Sequence, residues 1–245
     1  RWIVIKKREG KRKMRKRIFS FVLALLVMLS IMPVSAMAAE STGWDGTSKT
    51  EPATDGDGVY LISTAEELYW FATKTRTSAT KTISGRLISD IDLNNQNWQN
   101  KEMGGSSIGS SATGYGGTFD GDGHTISGFY ENKTVTSLSS GVGLFGLVTN
   151  GTIKNLTVEG KIEHTFKISS NYDNRVGGVA GVVRGGTIEN VVSNVEIVIE
   201  NDTSKRAHWV TGGIAANVTG STIRKCKNLG NITGCLLYTS PSPRD

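Results

Sequence analysis

The 245-residue chain has few of the side chains on which catalytic and metal sites usually depend. It contains two cysteines, four prolines and three histidines, which are His124, His164 and His208. None of the histidines lies in an H-E-x-x-H pattern, and no G-x-S-x-G or Walker sequence occurs. The sequence therefore offers no motif of a zinc peptidase, a serine hydrolase or a P-loop nucleotide enzyme, and we expect no catalysis in it.

The two cysteines do not indicate a disulfide framework. Cys235 falls in residues 235–245, "CLLYTSPSPRD", which can be back-translated into the DNA of a transposase library adaptor used in shotgun sequencing. We therefore expect 235–245 to be a sequencing-adaptor artefact and the gene to continue past Gly234. Cys226 is then the only cysteine, and we interpret it as a small buried hydrophobic side chain. A secreted chain without disulfides fits a bacterial surface protein.

Basic residues are concentrated at the N-terminus. Residues 1–13 precede the first methionine and are expected to be translation of upstream DNA. Residues 14–38 combine "RKR", an apolar run and an A-x-A site, which predicts a secretory signal peptide; a transmembrane anchor is the alternative, but the run is short for a span. Without residues 1–17, the formal net charge falls from +6 to −3, so the pI of 9.3 does not indicate nucleic-acid binding.

Glycine is abundant, with 30 residues, and Gly141, Gly143 and Gly146 follow the order G-x-G-x-x-G. A dinucleotide-binding site needs a helix directly after such a glycine turn. Here the turn signal Asn150-Gly151 follows almost at once and is succeeded by β-branched residues, which leaves no room for a helix. The glycines instead indicate sharp bends or close backbone packing.

A repeat of 35 residues accounts for this glycine pattern. Three segments align without a gap from Gly143, Gly178 and Gly213. The aligned apolar columns are Leu144/Val179/Ile214, Val148/Val183/Val218, Ile153/Ile188/Ile223, Leu156/Val191/Cys226 and Ile162/Ile197/Ile232. One unit cannot bury its own apolar face, so neighbouring units are expected to stack. We predict an all-β fold, a right-handed parallel β-helix (solenoid) with a short N-terminal capping helix, in which residues 136–234 hold the three repeats.

Two polar segments within the repeats, 164–175 and 200–209, vary in sequence and are expected to be loops. They carry Tyr172, His208 and Trp209, which are the candidate ligand-contact residues. An equally supported interpretation has Trp209 folding back over the coil beneath it. In the repeats themselves, the aligned Asn155 and Asn190 predict an amide ladder, which the aligned Lys225 interrupts.

The segment before the repeats has two parts. Residues 39–58 are rich in Gly, Thr and Asp and are expected to be a linker. Residues 59–135 are expected to form an N-terminal cap and the first coils. Ser63 or Thr64, followed three residues later by Glu, makes a capping box and predicts a short helix over the first coil.

Acidic residues are too dispersed to predict a metal or hydrolytic site. The group considered consists of Asp90, Asp92, Asp120 and Asp122, and a second "DGDG" contains Asp55 and Asp57. Neither "DGDG" continues with the oxygen ligands of an EF-hand, so a glycine turn is favoured over calcium binding. No cofactor is expected.

Several motifs between residues 59 and 234 occur together in one known family. They are "STAEELYWFA", "SDIDL", "GTFDGDGHTISGF" and "GLFG" followed by "GTIKNLTVEG", with "GVAG" and "GIAA" as looser copies. The chain resembles the N-terminal part of bacterial surface proteins with GLUG-motif repeats. The resemblance implies a β-rich, adhesin-like surface or secreted module, and such repeats also lie beside the catalytic region of IgA-specific metallopeptidases.

The expected function is that of an exported β-solenoid module, adhesive or structural, at the surface of a Gram-positive bacterium or secreted from it. Its expected partner is a protein or glycan of a host or neighbouring cell, with no nucleic acid, and with membrane contact only through the signal peptide during export. Two alternatives stay open. In the first, the chain is an accessory region of a secreted metallopeptidase whose catalytic domain lies beyond Gly234. In the second, it is a carbohydrate-active β-helix enzyme.

Overall fold

The computed structural model describes residues 43–98, 107–109, 113–135, 141–167, 170–201 and 207–235. The segments interpreted as upstream translation and signal peptide lie outside these residues, as does the adaptor-like tail after Cys235. Within the described ranges, no helix has both the length and the apolar character needed to cross a membrane.

The described residues form one helix and fifteen strands. The helix is α1 (Ala65–Lys74). The strands are β1 (Tyr60–Ile62), β2 (Gly85–Leu87), β3 (Ile91–Asp92), β4 (Thr118–Asp120), β5 (Thr125–Val135), β6 (Phe145–Thr149), β7 (Thr152–Phe166), β8 (Ser170–Gly177), β9 (Ala180–Arg184), β10 (Thr187–Asn201), β11 (Ala207–Gly212), β12 (Ala215–Thr219), β13 (Thr222–Arg224), β14 (Lys227–Asn228) and β15 (Ile232–Cys235).

Parallel pairing joins these strands into three sheets. The largest has ten strands and is built along the path β1-β2-β4-β7-β10-β13, with β3, β5, β14 and β15 paired alongside. A three-stranded sheet runs β12-β9-β6, and a two-stranded sheet joins β11 to β8. Successive turns of the chain thus add strands to the same sheets, which makes a parallel β-solenoid and confirms the predicted fold class together with its N-terminal helix.

The pairing register reproduces the 35-residue repeat. Ile188 lies directly between Ile153 of the preceding coil and Ile223 of the following coil. Ile153 and Ile188 have no exposed side-chain surface, so like residues stack inside the solenoid as expected. Each fully buried aliphatic side chain contributes about 1.5–3 kcal/mol relative to an exposed one, and the stacked columns are therefore the main source of stability.

The strands form because inward and outward residues alternate. In β7, Ile162, His164 and Phe166 point inward and are buried, while the residues between them are polar and partly exposed. Alternation with period two fits a sheet that has one face on a core and the other in water.

The capping helix begins as the sequence predicts. The Thr64 hydroxyl oxygen accepts the Glu67 backbone N–H at 3.3 Å, and the Glu67 carboxylate accepts the Ser63 N–H at 2.7 Å. These two bonds form a capping box. On its buried face, α1 packs the ring of Phe71 against Phe119 of β4, with ring centroids 5.8 Å apart.

The N-terminal edge of the solenoid is covered by the segment that was expected to be a linker. Leu61 of β1 donates its N–H to the Ala53 carbonyl at 2.8 Å. Trp44 is buried, with its ring 5.3 Å from that of Tyr69 in α1. Trp44 and Ala53 therefore contact the first coil, and the assignment of residues 39–58 as a linker stays a prediction. The sequence signal for this contact was Trp44, an aromatic residue in an otherwise polar segment.

The segments 164–175 and 200–209 are expected to be loops, but their described residues lie mostly in strands. β7 continues to Phe166, β8 begins at Ser170, and β10 continues through Asn201 before β11 begins at Ala207. Where burial is described, polar residues of these strands alternate with inward ones, as Thr165 does between His164 and Phe166. Most of each 35-residue repeat is therefore found in long strands.

The glycines of the G-x-G-x-x-G pattern serve close backbone packing. A side chain on Gly143 would lie 2.5 Å from the Gly177 carbonyl oxygen, and Gly143 has a φ of +148°. The pattern leads into β6 and then β7. Because no helix follows, the turn lacks the helix N-terminus that a pyrophosphate needs.

Candidate functional site

The three candidate contact residues lie on the two strands of the smallest sheet. His208 of β11 pairs with Asp173 of β8, and Trp209 pairs with Asn174. A register irregularity follows Ala207, and Tyr172 directly precedes Asp173 on β8. The fold therefore brings the backbones of Tyr172, His208 and Trp209 together. The side chains of Tyr172 and His208 are outside the described ones, and their role as ligand contacts stays a prediction.

Trp209 is folded back toward the core. Its ring stacks on Phe166 with centroids 6.2 Å apart and an interplanar angle of 8°. It is partly buried and packs against the core cluster. The folded-back interpretation of Trp209 is thus the one the structure favours, because a large aromatic surface is covered by this stack.

A buried acid–base pair lies inside the solenoid near this stack. The Glu131 carboxylate of β5 and the His164 Nε2 of β7 are 3.2 Å apart, and both side chains are 0% exposed. The His164 ring is 6.2 Å from Phe166. Sequence reasoning placed His164 in a loop and did not single out Glu131. The alternation from Phe129 to Val135 places Glu131 inward and would have identified it.

The enclosed geometry of this pair fits a structural role. A carboxylate beside an imidazole is a common general-base arrangement, but a substrate must come within hydrogen-bond reach of the base. Neither Glu131 nor His164 has solvent-accessible side-chain surface. In the pairing register, Glu131 occupies the column that continues through Ile162 and Ile197. Enclosing both polar groups carries a desolvation cost, which their mutual contact reduces.

The acidic residues considered for metal or hydrolytic chemistry serve separate turns. Asp90 accepts the Thr125 N–H at 2.9 Å and contacts His124 Nδ1 at 3.2 Å, and these hydrogen bonds hold the pKa of Asp90 below its usual value. Asp92 accepts the Asn94 N–H at 2.8 Å. Among the described residues, no group of three or more His, Cys, Asp or Glu side chains is placed to hold a metal ion.

A charge column crosses the outer face of the large sheet. Its members, in register from strand to strand, are Arg86, Asp120, Lys154, Glu189 and Arg224, so the sign of the charge alternates. Lys154 and Asp120 are 2.9 Å apart, and Arg224 pairs with Glu189. The column is therefore an ordered ladder in which Asp120 pairs with Lys154 and Glu189 pairs with Arg224.

Farther along β5, β7 and β10 lies a polar cluster that sequence reasoning missed. The Tyr130 hydroxyl donates to the Glu163 carboxylate at 2.8 Å, and the Asn132 amide donates to it at 3.2 Å. Lys161 lies 2.6 Å from Glu163 and 3.6 Å from Glu196. The hydrogen bond from Lys161 lowers the pKa of Glu163, and the same bond raises the pKa of Lys161.

This Glu163 cluster, defined by Tyr130, Asn132, Lys161, Glu163 and Glu196, is held rigidly because it spans β5, β7 and β10. It presents an aromatic ring, an amide and charges of both signs at the surface. Such groups can hydrogen-bond polar ligands without changing shape. The signal in the sequence was the placement of polar residues at alternate positions of consecutive strands.

Comparisons of the chain with protein-family models, with curated proteins and with solved structures found no match.

Proposed function

We propose that the chain is an exported bacterial β-solenoid module, displayed at the cell surface or secreted, that acts by adhesion or as a structural rod. The pattern of residues 14–38 supports export, and the resemblance of residues 59–234 to GLUG-repeat proteins supports the surface location. Gram-positive bacteria are the proposed source, because the resemblance is to surface proteins and the chain lacks a disulfide framework.

The observation that carries the adhesive role is the outer face of the large sheet. Strands β5, β7 and β10 are 11, 15 and 15 residues long and pair in parallel. They hold outward side chains in a fixed lattice, with strands about 4.8 Å apart. A rigid polar wall of this kind loses little conformational entropy when it binds a protein or glycan.

A binding experiment on two variants tests this role. The full chain and its Tyr130→Phe and Asn132→Ala variants are applied to immobilised glycans and to whole host and bacterial cells. Both variants keep the inward core but remove polar groups that the Glu163 cluster presents at the surface, so binding should weaken by about five-fold or more. Arg184→Ala is the control, because Arg184 is exposed at the end of β9 in a different sheet. Equal binding by all four proteins would refute adhesion through this face.

Export is tested separately with a reporter enzyme fused after residues 14–38. We expect a secreted reporter whose N-terminal sequence begins directly after Ala38. A reporter retained in the membrane with residues 14–38 attached would instead support the anchor interpretation.

The carbohydrate-active alternative receives less support from the geometry. Asp90 is engaged by Thr125 and His124, and Asp120 is engaged by Lys154, so these carboxylates do not converge on a common point. The metallopeptidase alternative concerns sequence past Gly234, and a zinc-binding motif in a longer read of the gene would establish it.

A further inference from the structure

One narrow face of the solenoid carries two regular columns of outward side chains. It is built from β2, β4 and β13 and from the first three residues of β7 and β10, which end at the corner of Asn155 and Asn190. The inward residues of this face include Phe119, Ile153 and Ile188, which are fully buried, so the residues before and after each of them point outward. We call the surface the hydroxyl–charge face, and its members are Thr118, Thr152, Thr187 and Thr222 in one column and Arg86, Asp120, Lys154, Glu189 and Arg224 in the other.

The threonine column presents hydroxyl groups at a constant interval. Thr118, Thr152 and Thr187 are partly exposed and lie in register on neighbouring strands. Among the described residues, no hydrogen bond is found for the hydroxyl groups of these three threonines. Each hydroxyl can donate one hydrogen bond and accept others, and neighbouring strands lie about 4.8 Å apart. The column therefore offers a ligand one polar contact for each coil.

The charge column presents its cations more than its carboxylates. The side chains of Arg86 and Lys154 have 41% and 38% of their surface exposed. Those of Asp120 and Glu189, each on the strand that follows one of these cations, have only 20% and 24% exposed. Lys154 lies two strands from Arg86 and two strands from Arg224. Cations consequently recur along the solenoid axis at about 9.6 Å, twice the strand spacing.

The carboxylates between these cations are already engaged within the protein. Asp120 accepts the Asp122 N–H at 2.9 Å and the Asn155 amide at 3.0 Å, in addition to its ion pair with the lysine of the next strand. Glu189 is paired with Arg224. Because both carboxylates are held in place and partly covered, a ligand on this face meets mainly the cations.

The charged groups of the face, with their immediate neighbours, carry a net positive charge. Asp55 lies 3.5 Å from Arg86, and Lys225 lies 3.6 Å from Glu189. Together the cations are Arg86, Lys154, Arg224 and Lys225, and the carboxylates are Asp55, Asp120 and Glu189. Four positive charges against three negative ones favour an anionic ligand.

The interval between the cations selects among extended anionic polymers. A polypeptide strand presents side chains to one side about every 6.8 Å, and a DNA strand has a phosphate about every 3.4 Å, so neither repeats with the cations. Each sugar ring of an extended glycan is about as long as one strand spacing. A glycan with a carboxylate on every second ring therefore has the matching repeat.

We propose that the hydroxyl–charge face binds a linear acidic glycan that carries a carboxylate on alternate sugar rings and lies along the solenoid axis. Its carboxylates make charge-assisted hydrogen bonds with Arg86, Lys154 and Arg224. The uncharged rings pass Asp120 and Glu189 without adding a like charge, and the threonine hydroxyls bond sugar hydroxyls. The inference rests on the proposed adhesive function, for which it names a ligand class, and it uses a different face from the Glu163 cluster.

Three oligosaccharides of equal length test the spacing by titration calorimetry with the full chain. The first is hyaluronan, in which glucuronate alternates with N-acetylglucosamine; the second is the same oligosaccharide with its carboxylates reduced to alcohols; the third is oligogalacturonate, with a carboxylate on every ring. Hyaluronan should bind, and the reduced form should bind about ten-fold more weakly or worse. Added salt should weaken the binding of hyaluronan.

Oligogalacturonate should bind more weakly than hyaluronan although it carries twice the charge, because its additional carboxylates face Asp120 and Glu189. Tighter binding of oligogalacturonate would show a response to total charge alone and would overturn the proposal. Equal affinity for hyaluronan and its reduced form, or no binding of hyaluronan, would also overturn it.

Matched variants place the ligand on this face. Lys154→Gln removes the central cation, and Thr187→Val removes a hydroxyl while keeping a β-branched side chain. Each should weaken hyaluronan binding by about three-fold or more. The controls are Arg184→Gln, an equal loss of charge at the exposed end of β9, and Thr157→Val, which lies on β7 beyond the corner. Neither control should change the affinity.

The same titration separates this inference from adhesion through the Glu163 cluster. If Tyr130→Phe and Asn132→Ala weaken hyaluronan binding and Lys154→Gln does not, the adhesive role of that cluster stands and the present proposal is wrong. A loss with Lys154→Gln alone would support the hydroxyl–charge face as the site of the glycan.

Discussion

Asn190 donates a hydrogen bond from its side-chain amide to the side-chain oxygen of Asn155 in the preceding coil, at 2.9 Å. Both residues are in the left-handed region, with φ of +53°. Asn155 in turn donates to Asp120 at 3.0 Å, so a side-chain ladder connects three coils at one corner. The predicted amide ladder is thereby confirmed, and Lys225, with a φ of +54°, keeps the corner conformation but lacks an amide to extend it.

Substitutions at this corner should separate the cost of the left-handed backbone conformation from the loss of the side-chain hydrogen bond between the two amides. Asn190→Ala places a side chain that disfavours the left-handed region there and removes the bond to Asn155, so the free energy of unfolding should fall by about 2 kcal/mol. Asn190→Gly loses only the bond and should cost less. Lys225→Gly should be neutral or stabilising. Urea denaturation measures all three, and an Asn190→Gly variant weaker than Asn190→Ala would contradict this explanation.

Because like residues stack in columns, the loss of stability caused by a buried charge should depend strongly on its position in the column. Ile188→Asp places a carboxylate between Ile153 and Ile223 and should destabilise the protein by about 4 kcal/mol or more, or unfold the neighbouring coils. Ile223→Asp is the control in the same column, because 38% of Ile223 is exposed and its carboxylate can reach water. Thermal melts followed by circular dichroism should show a large loss for the first variant and a small one for the second. Similar melts for both would refute the stacking.

The Asp120–Lys154 pair predicts a change in stability with pH. Burial raises the pKa of Asp120, but the hydrogen bonds from Lys154, the Asp122 N–H and Asn155 outweigh it and hold the pKa below 3.8. The resulting stabilisation is complete at pH 7 and is lost as the pH falls through the lowered pKa. Lys154→Met should therefore destabilise the protein at pH 7, by less than about 1 kcal/mol, and much less at pH 2.

Urea denaturation of the native chain and of Lys154→Met across pH 2–7 measures this difference. The control is Lys133→Met, because Lys133 has no ion pair among those found in the described residues. A loss that stayed constant from pH 7 to pH 2 would show that Lys154 acts through packing of its aliphatic stem.

Removing one member of the buried Glu131–His164 pair should cost far more than removing both. His164→Leu takes the imidazole away from an enclosed carboxylate, and Glu131→Leu takes away the carboxylate that faces the imidazole. Each should cost about 3–5 kcal/mol, and the double variant should be more stable than either single one. A double-mutant cycle from urea denaturation gives the coupling, and strictly additive losses would show that the two groups do not act as a pair.

Repeat spacing and residue alternation were enough to predict the core. The 35-residue offset placed Ile153, Ile188 and Ile223 in one column, and the structure pairs them directly. The cap was equally readable, because the capping box at Thr64 and Glu67 is a local interaction within five residues. Both predictions are confirmed because the column contacts recur at every repeat and the capping bonds join residues that are close in the chain.

Composition was a poor guide to the long sides of the coil. The segments 164–175 and 200–209 are polar, which favours loops, but their described residues lie mostly in strands. The inward positions of His164 and Phe166 follow from continuing the alternation of β7. The stack of Trp209 on Phe166 joins residues from different coils, so the sequence left two interpretations of Trp209 open and only the stacking of the coils decides between them.

By itself, the sequence determined the parallel stack, its period, its apolar columns and its N-terminal capping helix. The reason is that a repeat without gaps allows only one pairing register in which apolar residues are buried against apolar residues. Only the tertiary structure decided which polar residues meet. It put Glu131 against His164 inside the solenoid, ordered Arg86 to Arg224 into alternating charges, and assembled the Glu163 cluster across three strands. The physical reason is that these contacts depend on which coil lies beside which, and side-chain distances of about 3 Å are set by that stacking rather than by neighbours in the chain.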